Sequence, residues 1–98
     1  MKVRFRESSL ERLESDPRFT GGHPAAVVKA YRKRMNLIRQ ALNERDLSAF
    51  RSLCFEKLKG SRDHQRSMRL NDQWRLIVEI EGEGDSKAIV VVSIEDYH

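Results

Sequence analysis

The chain has 98 residues, 39% of them hydrophobic and 35% charged, with a formal net charge of +4. A chain of this length exposes roughly 5,800 Å² when folded against about 16,700 Å² unfolded, which fits one compact domain with one core and excludes a second. No apolar run approaches the roughly 20 residues of a membrane span, and the single cysteine, Cys54, excludes an internal disulfide and a multi-cysteine zinc site.

At the N-terminus Lys2, Arg4 and Arg6 alternate with Val3 and Phe5, the period of a half-buried strand and not of a signal peptide. The chain is therefore expected in the cytoplasm. Ser8-Ser9-Leu10-Glu11 reads as a capping box that opens a short helix ending near Ser15, before Asp16-Pro17. Pro24 suits the first turn of a long helix reaching about Asn43. Along it Val27, Tyr31, Met35, Ile38 and Leu42 recur as an apolar stripe, with Val28 beside them. Lys29, Arg32, Lys33, Asn36, Arg39 and Gln40 lie off the stripe and are expected to face water or a partner. Asp46 is expected to cap a further helical turn through Ser52, with Leu47 and Phe50 on one side.

After Gly60 the pattern changes to strands. Met68 and Leu70 alternate with Ser67 and Arg69, and Asn71-Asp72 offers a tight turn. Trp74, Leu76, Val78 and Ile80 then share one face, and Gln73, Arg75, Ile77 and Glu79 the other. Gly82 to Asp85 forms a second turn, and Ala88 to Ile94 is a β-branched run of the kind found in a covered strand. Segregated helices and strands predict an α+β domain, with the N-terminal helices packed on one face of a mainly antiparallel sheet. The face carrying Arg75 is expected to stay open.

Net charge is uneven along the chain. Residues 1–28 carry 5 basic and 4 acidic side chains, residues 29–75 carry 13 and 5, and residues 76–98 carry 1 and 6. The middle segment, at +8, is a candidate polyanion-binding surface, and the last, at −5, its acidic flank. Of the 19 basic residues 13 are arginine, which favours forked contacts to phosphate.

Several site types are absent from the pattern. Gly21-Gly22 and Gly60 lack the setting of a phosphate-cradling loop, no serine sits in a nucleophile elbow, and three scattered histidines make a poor metal site. Cys54 reads as a small core residue. What remains is Lys57, Lys59, Arg62, His64, Arg66, Arg69, Gln73 and Arg75, together with Tyr97 and His98. Arginines and lysines on an open sheet face can hold a phosphodiester, while histidine and tyrosine can move protons. That combination fits RNA cleavage by the 2′-hydroxyl, without metal or cofactor. Each residue also has a plainer reading: His64 in solvent, Arg69 and Arg75 as cross-strand partners of Glu79, Glu81 or Glu95, and Trp74 as core.

Lys59-Gly60-Ser61-Arg62, the run from Ser67 to Leu76, and the ending Glu95-Asp96-Tyr97-His98 resemble the HigB group of RelE-like bacterial toxins. The resemblance is specific over about residues 53–98 and rests on element order before that. It implies a RelE-like fold and a ribosome-dependent mRNA endonuclease that arrests growth. Its implied partners are a cognate HigA-type helix-turn-helix antitoxin and mRNA on the ribosome, with operator DNA reached only through the antitoxin and no membrane. By the same resemblance Arg75 holds the scissile phosphate, and Lys59 and Arg62 contact the RNA backbone. Asp96, Tyr97 and His98 form a terminal trio in which Tyr97 and His98 transfer protons. The chain departs from some members in having Glu56 three residues before Lys59, in place of histidine, and Gln73 before Trp74, in place of asparagine. The general base is thus Glu56, His98 or neither. A gyrase inhibitor of the ParE type and a non-catalytic RNA-binding module are the alternatives.

Overall fold

The alternation at the N-terminus forms a strand, β1 (Lys2–Phe5), followed by α1 (Ser8–Ser15), the long α2 (Ala25–Gln40) and the short α3 (Glu44–Ala49). The strands β2 (Glu56–Lys57), β3 (Gln65–Arg69), β4 (Trp74–Glu81) and β5 (Ala88–Asp96) complete a five-stranded sheet in the order β1-β5-β4-β3-β2. Strand β1 runs parallel to β5 and the other pairs are antiparallel. This computed structural model describes residues 1–96, Asp85 by its backbone alone. The expected α+β architecture is borne out; the further helical turn expected from Asp46 is α3, starting at Glu44, and the two-residue β2 is the element the pattern did not announce.

The core lies between the helices and one face of the sheet. Val27, Tyr31, Met35 and Ile38 from α2 are buried with Leu76, Val78, Ile89 and Val91 from the two central strands. Each such side chain removed from water stabilises the fold by about 1.5–3 kcal/mol. Trp74 packs at the margin of this cluster, as its apolar neighbours suggested, with its ring edge-on to His23 at 5.8 Å. The Tyr31 hydroxyl donates to the Leu10 carbonyl at 2.7 Å, and burial pushes the phenol pKa up.

Local expectations fail where a cap or a helix end was misplaced. Helix α1 starts at Ser8, but its cap position is Glu7 and no side chain caps it. Helix α2 stops at Gln40; Ala41 turns extended and is buried, which throws Leu42 out to 86% exposure. Asn43, not Asp46, caps α3, its Oδ1 accepting from the Arg45 and Asp46 amides at 2.9 and 3.3 Å. Leu47 is buried but Phe50 is 48% exposed. Cys54 is no core residue: it is exposed and sits in the left-handed region at φ 48°. Among the described residues no helix is long and apolar enough to cross a membrane.

A bulge sets which residues of β5 reach the open face. Val78 pairs with Val91 and Ile77 with Ser93, so Val92 is left over and the alternation changes phase. Were β5 paired regularly through Val92, Ile94 and Asp96 would follow Val90 onto the face away from the helices. With the bulge, Ile94 packs against the core and Ser93 and Glu95 take the open side.

Candidate functional site

Of the residues singled out in the sequence, Arg62, Arg69, Gln73, Arg75 and Asp96 gather at the end of the sheet around the β3–β4 turn, with Glu56 one row away. Arg69 lies directly across from Arg75, and Arg75 across from Glu95. One row further along, Glu56 faces Ser67, Ser67 faces Ile77, and Ile77 faces Ser93. Residues opposed in this way share a face. The open side therefore gathers Arg69, Arg75, Glu95 and Glu56 within two rows. Asn71 builds the turn beside them: its Oδ1 accepts from the Gln73 and Trp74 amides at 2.9 and 2.8 Å, a local side-chain turn. Its carbonyl also accepts from the Arg75 guanidinium at 2.8 Å, so the turn holds Arg75 in place. Gln73 Nε2 donates to Asp96 at 3.0 Å, joining the turn to the end of β5.

Arg62 reaches this end from the loop before β3. Gly60, at φ +68°, provides the left-handed turn that starts this approach. The Arg62 guanidinium is bidentate to Glu95, at 3.0 and 2.8 Å, and its Nε donates to Gln65 at 2.9 Å. Gln65 lies on β3 and Glu95 on β5, so this pair crosses over β4. Ser67 and Ile77 are buried on that side, although neither belongs to the cluster under the helices. Ser93 adds a hydroxyl bond to Glu95 at 2.7 Å. The bonds from Arg62 hold the Glu95 carboxyl below the usual glutamate range.

A second junction lies further along the face. Glu79 accepts from Gln65 at 2.9 Å and from Arg6 at 2.8 Å, and it stands 3.7 Å from the imidazole of His64. The Gln65 hydrogen bond and then Arg6 lower its pKa. Arg69 is paired with Asp72. The basic sheet face expected from the sequence is thus an alternating network, with arginines neutralised by carboxylates that come largely from the acidic end of the chain. The plainer reading of the arginines holds for Arg75, which opposes Glu95 across the strands, but not for Arg69, which pairs with Asp72; Glu95 also bonds Arg62.

Other named residues are placed differently. Lys57 opposes Arg66, and Arg66 opposes Val78, which puts both on the helix side of the sheet at its β2 edge. Lys59 and His64 are exposed in the loop between β2 and β3. Tyr97 and His98 lie outside the described residues. Sequence reading missed Gln65, Asn71 and Ser93, of which only Asn71, a turn-forming asparagine, carried a local signal. Of the residues expected to face water or a partner, Arg39 is exposed and paired, while Arg32 is half-buried and turned onto the fold. Arg32 donates to the carbonyls of Leu13, Asp16 and Phe19 at 3.0, 3.0 and 3.2 Å, closing the end of α1, and Arg39 is bidentate to Glu14 at 2.6 Å. Arg34 donates to the carbonyl of Arg69 at 2.9 Å. Burial, and then the nearby Arg69 charge, lowers its pKa. Among the described residues no group of three His, Cys, Asp or Glu side chains could hold a metal ion.

The architecture is that of a RelE-superfamily toxin. It is similar over 100% of both chains to the YoeB/ParE toxin from Agrobacterium tumefaciens, with a TM-score of 0.62 at 19% sequence identity, a likeness of fold. No curated protein matches the chain. Residues 3–98 match the model of a family described as the RelE-like toxin of type II toxin-antitoxin system HigB, and the chain belongs to this HigB-like toxin family. Membership carries an antitoxin partner with it.

Proposed function

We propose that this toxin is a single-domain, ribosome-dependent mRNA endonuclease of the cytoplasm, neutralised by a HigA-type helix-turn-helix antitoxin through which alone it reaches operator DNA. The supporting observation is the convergence of Arg62, Arg69 and Arg75 with Gln73, Asp96 and Glu56 at one end of the open sheet, in a chain of this toxin family. Exposed ion pairs contribute only about 0–1 kcal/mol each, so an RNA phosphate can displace Asp72 from Arg69 and Glu95 from Arg62. Arginine forks then meet the phosphate oxygens, and Arg75 stabilises the charge gained in the pentacoordinate transition state.

In the reaction a base takes the proton of the 2′-hydroxyl, and the oxygen attacks the adjacent phosphorus. The bond to the 5′-oxygen breaks and that oxygen receives a proton. One fragment keeps a 2′,3′-cyclic phosphate and the other a 5′-hydroxyl, with no metal or cofactor. Glu56 or His98 serves as the base, Tyr97 and His98 are the proton-transfer groups, and Asp96 orients them through the β5 end. Lys59 and His64 bind the RNA strand beyond the cleaved bond, and where the strand rounds the β2 edge it meets Lys57 and Arg66 on the helix side. The ribosome positions the substrate, so naked RNA is cut slowly.

Mapping transcript 5′ ends in cells that express the toxin tests the reading. Cuts in phase with codons are expected, and they vanish with Arg75→Ala or with removal of His98. Intact messages in arrested cells overturn it, and DNA-damage signalling alongside them points to gyrase.

A further inference from the structure

Helix α2 carries five cations, Lys29, Arg32, Lys33, Arg34 and Arg39, and no Asp or Glu. The three arginines are engaged by other parts of the chain: Arg32 by α1 and loop carbonyls, Arg34 by the Arg69 carbonyl and Arg39 by Glu14. Lys29 and Lys33 are exposed, and neither forms an ion pair or side-chain hydrogen bond with any described residue. They stand one turn apart on a ridge between two grooves of about 520 and 290 Å³. The floors are apolar: Ala25 and Val28 in one, Ala26, Ala30 and Leu70 in the other. One further turn along the same helix face, Leu37 lines a third groove of about 350 Å³ with Ala41, Ala49 and Phe50. Phe50 and Leu42 are the exposed large hydrophobic residues of the described chain.

The face thus changes from cationic to apolar along α2, over roughly 24 Å for 16 residues. We propose that this face docks an acidic, amphipathic helical segment of the antitoxin, with carboxylates on Lys29 and Lys33 and apolar side chains in the groove at Phe50. RNA fits less well. The arginines it favours are already engaged here, the lysine ridge is floored by alanine and valine, and no aromatic platform stands beside the lysines. The inference rests on the antitoxin partner that family membership carries and not on ribonuclease chemistry.

The test is titration calorimetry of the purified toxin with the purified antitoxin encoded beside it. Lys29→Glu/Lys33→Glu and, separately, Phe50→Ser are each expected to weaken the complex at least tenfold. Both variants should melt within a few degrees of wild type and still arrest growth when expressed without antitoxin. Wild-type affinity in both variants overturns the proposal. So does loss of single-stranded RNA binding with antitoxin binding intact, which makes RNA the occupant. Loss of self-association in sedimentation, with antitoxin binding intact, makes a second copy the occupant and also overturns it. A wild-type chain that leaves messages uncut defeats the ribonuclease reading, while the titration still decides the docking surface.

Discussion

On the open sheet face Arg6, Arg62 and Arg69 each meet a carboxylate, from Glu79, Glu95 and Asp72; on the outer face of α2, Lys29 and Lys33 meet none among the described residues. Both surfaces draw on cations of comparable density in the sequence. The difference comes from their neighbours. Strands β4 and β5 carry the acidic end of the chain and bring Glu79 and Glu95 beside the arginines. The outer side of α2 receives no such carboxylate from the described residues. A charge count along the sequence therefore measures how many cations a segment has, and not how many it offers to a partner.

The largest effect should come from the one arginine that the β3–β4 turn holds at the centre of the sheet end. Arg75→Ala is expected to reduce message cleavage by about 10²–10³-fold, the scale of losing one preorganised donor to a transition-state oxyanion. Primer-extension yield per unit of toxin measures it. A loss below tenfold would put Arg75 outside the chemistry.

Next in size is a contrast within α2. Arg32→Ala removes three bonds to carbonyls at the end of α1 and is expected to cost about 1–3 kcal/mol in denaturant unfolding. Lys33→Ala, on the same helix, should stay within about 0.5 kcal/mol of wild type. Equal effects would mean that the two cations are not distinguished by their partners.

Smaller still is the release of Arg62. Glu95→Gln keeps the shape of the side chain but removes the charge that neutralises the guanidinium. Affinity for single-stranded RNA should rise several-fold at low salt, and its logarithm should fall more steeply with log salt by about 0.7, the increment for one further phosphate contact. An unchanged slope would show that Glu95 does not compete with phosphate.

Acid should weaken the sheet face in a defined direction. Glu79 and Glu95 both titrate below the ordinary glutamate range because they are hydrogen-bonded and ion-paired when folded. Their stabilisation is complete above the unfolded glutamate pKa of about 4.3 and is lost as the pH falls through the lower, folded values. Thermal melts of wild type and Glu95→Gln from neutral to acid pH should therefore converge. Parallel curves would remove Glu95 from the acid response.

Much of the core could be read in advance because helical periodicity is a local property. Val27, Tyr31, Met35 and Ile38 are spaced for one face, and that face is buried. The stripe failed at Leu42 because helix termination depends on competing caps, and here Asn43 starts the next helix too early for α2 to continue. Cys54 was misread for a similar reason: its small apolar side chain says nothing of the left-handed turn that holds it outside. At the site, Arg62, Arg69 and Arg75 were visible by residue type, but Gln65 became visible only as the bridge from Arg62 to Glu79.

What the sequence determines by itself is the set of short-range choices: the apolar stripe of α2, the alternation of β4, the turn at Asn71, and a toxin-like run from Lys59 to Leu76. The tertiary structure alone decided which charges stay available. The leftover Val92 changes the phase of β5 and turns Glu95, not Asp96, toward Arg62. Side chains alternate with a period of two, so one extra residue moves every later one to the opposite face. Partners brought together from residues 62 and 95 are chosen by strand register, which no local pattern encodes.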